Sequence, residues 1–188
     1  MSSTEQQWQR MMNQAPAAPE ANEPARQETP VSQTLFTLPS EFVHLLNQCI
    51  GLAQHQIQLF DPDFTRWGLE HADIFQALRH FLLLDKKNRL HLAMHRTHYL
   101  SNECPRFMPF FTDFSHAIEC RITPRNLRQL TDSFCIADET HIVRRYHCDH
   151  FRGEAVFHSS EATQISSKRF AEIWLASDIG IHASRLGL

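Results

Sequence analysis

Apolar and polar positions divide this chain into short alternating stretches and longer amphipathic ones. From Ser133 to Ala137, bulky and small residues alternate as they do in a buried strand. Asp138-Glu139-Thr140 reads as a polar turn, and His141 to His147 as a second strand opening on Ile142 and Val143. Gly153 marks a break, after which Ala155-Val156-Phe157 can pair as a third strand. The chain is organised around this meander, Asp132 to Phe157.

Upstream, Ser40 is placed to cap a helix with Phe42, Leu45, Leu46, Cys49 and Ala53 on one side. Gln56 to Phe60 alternates as a strand closed by Asp61-Pro62. Asp73 is placed to cap a second helix, with Ile74, Phe75, Leu78, Phe81 and Leu82 as its buried stripe. Arg89 to His95 turns Leu90, Leu92 and Met94 to one face. Ser101 to Phe114 predicts an aromatic helix, with Pro105 in its first turn and Pro109 near its centre. Ala117 to Thr123 is a further strand. Ile165 to Ser177 is a closing helix capped by Ser166 or Ser167, its apolar side formed by Phe170, Ile173, Trp174 and Leu175. Strands separated by helices imply parallel pairing, and the meander adds antiparallel pairs. The fold class expected is α/β, a mixed sheet flanked by helices.

Composition changes this picture at the N-terminus. Residues 1–33 are rich in Gln, Ala, Pro, Glu and Ser and cannot bury enough apolar area to offset chain entropy, so a disordered arm is expected there. Within it, Trp8, Met11 and Met12 have helical spacing, which fits a fraying turn or a short partner-docking helix. Residues 34–188 are expected to form one domain. A net charge of -3 over 188 residues argues against general binding to nucleic acid or anionic membrane. Five cysteines without CxxC spacing fit buried thiols in a reducing cytoplasm. The apolar runs are too short to span a bilayer. Gly68 and Gly153 enclose a stretch without glycine, so neither a phosphate-binding loop nor a glycine-built oxyanion hole is available there.

The element order and the FCIADE segment resemble one half of the phospholipase D superfamily, over about residues 35–177. That family carries HxKxxxxD on the strand before the turn. Asp138 stands at the Asp position, Thr131 at the His position and Ser133 at the Lys position, and KRFAEIWLAS is similar to the family's last helix. The resemblance implies a His nucleophile and a phosphate-stabilising Lys, and Thr131 and Ser133 can perform neither job. It therefore implies a degenerate, non-catalytic half-domain, similar to uncharacterised bacterial domains, that binds a protein partner or a phosphate-containing ligand. The alternative is a phosphodiesterase completed by dimerisation. A lone half also implies a homodimer, and Phe107, Met108, Phe110, Phe111 and Phe114 are the apolar candidates for its face. No cofactor is expected.

Three clusters could carry other chemistry. Arg121, Arg144 and Arg145, with Asp138 and His95, are the candidate ligand-binding set, because the arginine fork suits phosphate. His147 and His150, around Cys148 and Asp149, are the candidate metal ligands, with His95 and His98 as a second pair; a solvated histidine-rich loop is the competing reading. Cys148 beside His147 is a weak nucleophile candidate, since neighbours on a strand face opposite ways. Asp61, Asp63 and Glu70 fit either paired carboxylates or ordinary turn chemistry.

Overall fold

The computed structural model describes residues 29–181. Most of the Pro-rich arm, including the Trp8 segment, lies outside the described residues. The elements in order are β1 (Ser32–Phe36), α1 (Pro39–Leu52), β2 (Gln56–Phe60), α2 (Ala72–Leu84), β3 (Arg89–Met94), a π-helical turn (Tyr99–Glu103) and α3 (Phe107–Asp113). Then follow β4 (Ile118–Ile122), β5 (Ser133–Ala137), β6 (His141–Arg145), β7 (Gly153–Phe157), α4 (Ser160–Ala176) and β8 (Asp178–Ile179).

One sheet holds all eight strands in the order β1-β7-β6-β5-β2-β3-β4-β8. β2, β3 and β4 pair in parallel, as the intervening helices require. Every other pair is antiparallel, including the β5-β6-β7 meander. This is the mixed α/β sheet that the patterning predicts.

Strand alternation sends side chains to two unequal faces. Cys135, Ala137, Val143, Ala155 and Phe157 join the larger core under α1, α2 and α3, whereas Phe134, Ile136, Ile142 and Val156 join a smaller one with Phe170 and Ile173 of α4. With both faces covered, β5 is buried along its whole length. Beyond α4, the smaller face carries polar residues such as Gln56, His91, Arg121 and Arg144.

Several local expectations change. The first helix starts at Pro39, not from a Ser40 cap, and the Glu41 carboxylate accepts the N–H groups of Thr37 and Leu38. His71, not Asp73, precedes α2, and Asp73 sits in the first turn, where the helix dipole favours an acid. The last helix begins at Ser160, capped by the Ser159 hydroxyl accepting from Ala162 N–H. Leu175 is exposed instead of buried, while Trp174 stacks on His91 with ring centroids 4.6 Å apart.

The aromatic helix is two pieces. The π-helical turn ends before Pro105, and Pro109 is the third residue of α3, where its missing N–H has no intrahelical partner to lose. Phe107, Phe110, Phe111 and Phe114 are buried in the larger core and Met108 packs against it. The proposed dimer face is therefore interior to one chain. Gly153 is not a break: it opens β7, and a Cβ there would meet Arg144 O and lie 2.6 Å from the Phe36 ring. Among the described residues no helix is long and apolar enough to cross a membrane.

Candidate functional site

The C-terminal ends of β2, β3, β4 and β6 meet the start of β5 at one edge of the sheet. Phe60 pairs with Ala93 and Phe134, Met94 with Ile122, and Ser133 with Arg145. Asp61, His95, Thr123, Ser133 and Arg145 thus crowd one sheet end, and all are buried. This is also the end that carries Thr131 and Ser133, which the sequence resemblance sets against the His and Lys of the phospholipase D pattern.

Arg145 lies on the α1 face of this end. Its Nη2 donates to Asp61 Oδ2 at 2.7 Å, its Nε to Ser133 Oγ at 3.0 Å and its Nη1 to Cys148 O at 2.8 Å. The side chains of the pair are 1% and 2% exposed, so the ion pair is sealed from water. The rings of Phe42 and Phe151 stand 5.1 Å and 5.4 Å from the guanidinium carbon. Burial pulls the Arg145 pKa down and the Asp61 carboxylate opposes that shift. Asp61 Oδ1 meanwhile accepts the N–H groups of Asp63 and Phe64. That holds Phe64 at φ 63°, a left-handed conformation uncommon for a bulky residue. Asp61 is therefore both the turn residue its sequence context predicts and the counterion of Arg145.

His95 follows β3 on the α4 face, with its ring against Phe60 at 5.7 Å. Nε2 lies 2.9 Å from Leu130 O and Nδ1 lies 2.5 Å from Thr123 Oγ1. A carbonyl only accepts, so Nε2 donates to Leu130 O, while Nδ1 pairs with the Thr123 hydroxyl, which can donate or accept. Both ring nitrogens are spent on holding the segment before β5. His95 and Arg145 share a sheet end but not a face.

The other candidates do not converge there. Asp138 lies at the far end of β5, about 17 Å from Ser133 at the usual rise per residue. Its carboxylate accepts the N–H groups of Gln54, His55 and Gln56. His141 and His158 meet nearby with ring centroids 4.7 Å apart, but His141 Nδ1 accepts the N–H of His158. Burial and His158 lower the His141 pKa. Arg121 donates to Glu119 and to Trp174 O on the α4 face, separated from Arg144 by the width of β5, β2 and β3. Arg144 donates to Glu154, which Gln33 also contacts. Each of the three arginines already holds a carboxylate, and they form no common basic surface.

His98 is exposed, 3.4 Å from Glu103, and His95 is committed elsewhere, so the second metal pair does not assemble. His147, Cys148 and Asp149 do assemble, each offering a ligand atom within 4.8 Å of the others. A cleft of about 560 Å³ adjoins the buried ion pair through Phe151. Val43, His44, Arg66, His71 and Tyr99 also line it. The Tyr99 phenol donates to Glu70, and burial with that carboxylate pushes its pKa up.

Patterning undervalued Asp61. The available signal was parity: Arg145 shares the inward side of β6 with Val143, and a charge facing a core needs a buried partner.

Nuc from Salmonella typhimurium, described as a phospholipase D family member, superposes at a TM-score of 0.58 with 13% identity, covering 81% of this chain and 100% of its own. NucT from Helicobacter pylori gives 0.52 with 12% identity and the same two coverages. TrmBL2, described as an archaeal chromatin protein, gives 0.57 with 13% identity over 94% of this chain and 63% of its own. A search of curated proteins finds no match. The chain has the phospholipase D-like fold, and through a family model matching residues 39–182 it belongs to the family described as a domain of unknown function, DUF7931.

Proposed function

We propose that this chain is a non-catalytic phospholipase D-like domain that binds a protein partner. The observation that carries this reading is the buried Arg145–Asp61 pair. At the end of the sheet where the family pattern would place a phosphate-stabilising lysine, the position is Ser133, and its hydroxyl accepts from Arg145. The cation beside it is already neutralised by Asp61. A transferring phosphoryl group needs unspent donors aimed at its oxygens, whereas Arg145 is buried on Asp61, Ser133 and Cys148 O, and His95 on Thr123 and Leu130 O.

A phosphorylated ligand is the weaker half of the reading, because Arg121 and Arg144 are each paired with a glutamate. The cleft beside Phe151 mixes Arg66 with Glu70 and Asp73 and is lined by half-buried Tyr99, a composition nearer to a protein contact than to an anion site. Titration with inorganic phosphate tests the preference. No saturable binding below millimolar concentration is expected; saturable binding lost on Arg144→Ala would contradict it.

A further inference from the structure

Beyond the blocked sheet end, the loop after β6 carries a ligand set with no role so far. We propose that His147, Cys148 and Asp149 form a zinc site. Cys148 Sγ lies 3.9 Å from His147 Nδ1 and 3.9 Å from Asp149 Oδ1, and His147 Nδ1 lies 3.6 Å from Asp149 Oδ2. Sulfur, imidazole and carboxylate ligands 2.0–2.3 Å from one ion stand roughly 3.3–3.8 Å apart when the geometry is tetrahedral. One ligand atom from each of the three residues lies within 4.8 Å of the others, somewhat wider than that spacing, so a modest side-chain adjustment closes them on an ion.

The loop that carries them is fixed by contacts independent of the ligands. Cys148 N–H donates to Thr131 O, Arg145 donates to Cys148 O, and His150 N–H donates to His147 O. Both backbone groups of Cys148 are therefore anchored to the sheet end, which sets the direction of its thiol. His147 Nδ1 now accepts the N–H of Asp149, and zinc takes over that lone pair. His150, its ring centroid 5.6 Å from that of His147, is the nearest candidate for a fourth ligand. The mixed S, N and O set selects zinc over calcium or magnesium, which prefer all-oxygen sites.

The cysteine's setting supports the assignment. Cys49, Cys104, Cys120 and Cys135 are buried, and Cys148 alone is half-exposed. On binding, zinc bonds to the thiolate and the thiol proton is released to solvent. Binding here requires no catalysis, so the proposal stands independently of the non-catalytic reading.

Cobalt(II) is the direct probe, since a cysteine-ligated cobalt site shows a thiolate charge-transfer band in the near ultraviolet. With the full chain, that band is expected to saturate at one equivalent, to be displaced by zinc and to vanish in Cys148→Ser. Calorimetric zinc affinity should fall about tenfold or more in Cys148→Ser and in His147→Ala, and stay unchanged in His80→Ala, which alters an exposed histidine of α2. Circular dichroism of the variants confirms folding. No thiolate band, or zinc binding equal in Cys148→Ser and the parent chain, would mean adventitious surface-histidine binding only and would overturn the site.

Discussion

At the scale of single residues, the molecule turns on one buried ion pair. Two charges taken out of water lose several kcal/mol of hydration each, and a partner must restore it. Removing the partner is therefore costly: Asp61→Ala leaves the Arg145 guanidinium buried and unpaired, and should lower unfolding free energy by about 3–5 kcal/mol. The double variant Asp61→Leu/Arg145→Met should recover much of that loss, because apolar replacements of a buried pair are often neutral. Urea denaturation of the three proteins measures both effects. A loss below about 1 kcal/mol for Asp61→Ala would show that the pair is not sealed from water.

Two histidines set a pH dependence. Burial lowers the pKa of His91, with Arg121 and Arg89 adding to the shift and Glu119 opposing it, and burial also lowers that of His141. A histidine whose folded pKa lies below its unfolded value of about 6.5 takes up its proton first in the unfolded chain. Stability from this source is fully present above pH 6.5 and is lost as pH falls toward the folded values. The melting temperature should drop between about pH 7 and pH 5, with a shallower drop in His91→Gln. A flat profile in the parent chain would remove the claim.

At the scale of elements, the central strands and amphipathic helices were legible because their apolar residues repeat with clear periods. β5, with both faces buried, reads as the near-continuous apolar run SFCIA. The edge strands were not legible. β1 is exposed at four of its five residues and β8 is two residues long, so neither shows the pattern of a half-buried strand. Helix starts were misplaced where an acid three residues into the turn, Glu41, did the work expected of a serine. Gly153 leaves no room for a side chain between Arg144 and Phe36. Ala at this position must displace both Arg144 O and the Phe36 ring and should cost roughly 1–3 kcal/mol. Equal melting temperatures for Gly153→Ala and the parent chain would show that β1 and β7 separate easily.

For the molecule as a whole, fold and function differ in how far the sequence reaches. The order of elements resembles phospholipase D because topology follows from periodicity, which survives at 13% identity to Nuc. The site does not follow in the same way. Asp61 and Arg145 are 84 residues apart in sequence, and only strand order brings them together beside Ser133. The candidate set of Arg121, Arg144, Arg145, Asp138 and His95 was drawn from residue type, and the sheet distributes it over two faces and both ends. His147 and Cys148, adjacent in sequence, needed no topology to be found together.

The central claim is that Arg145 and His95, the buried cation and imidazole of this sheet end, are committed to structural contacts and do not serve phosphodiester chemistry. Steady-state hydrolysis of bis(p-nitrophenyl) phosphate by the full chain, between about pH 5 and 8, tests it most directly. The expected rate equals the buffer background and is the same for the parent chain, His95→Ala, His141→Ala and His147→Ala. Turnover above background that disappears in any one of these histidine variants would contradict the account.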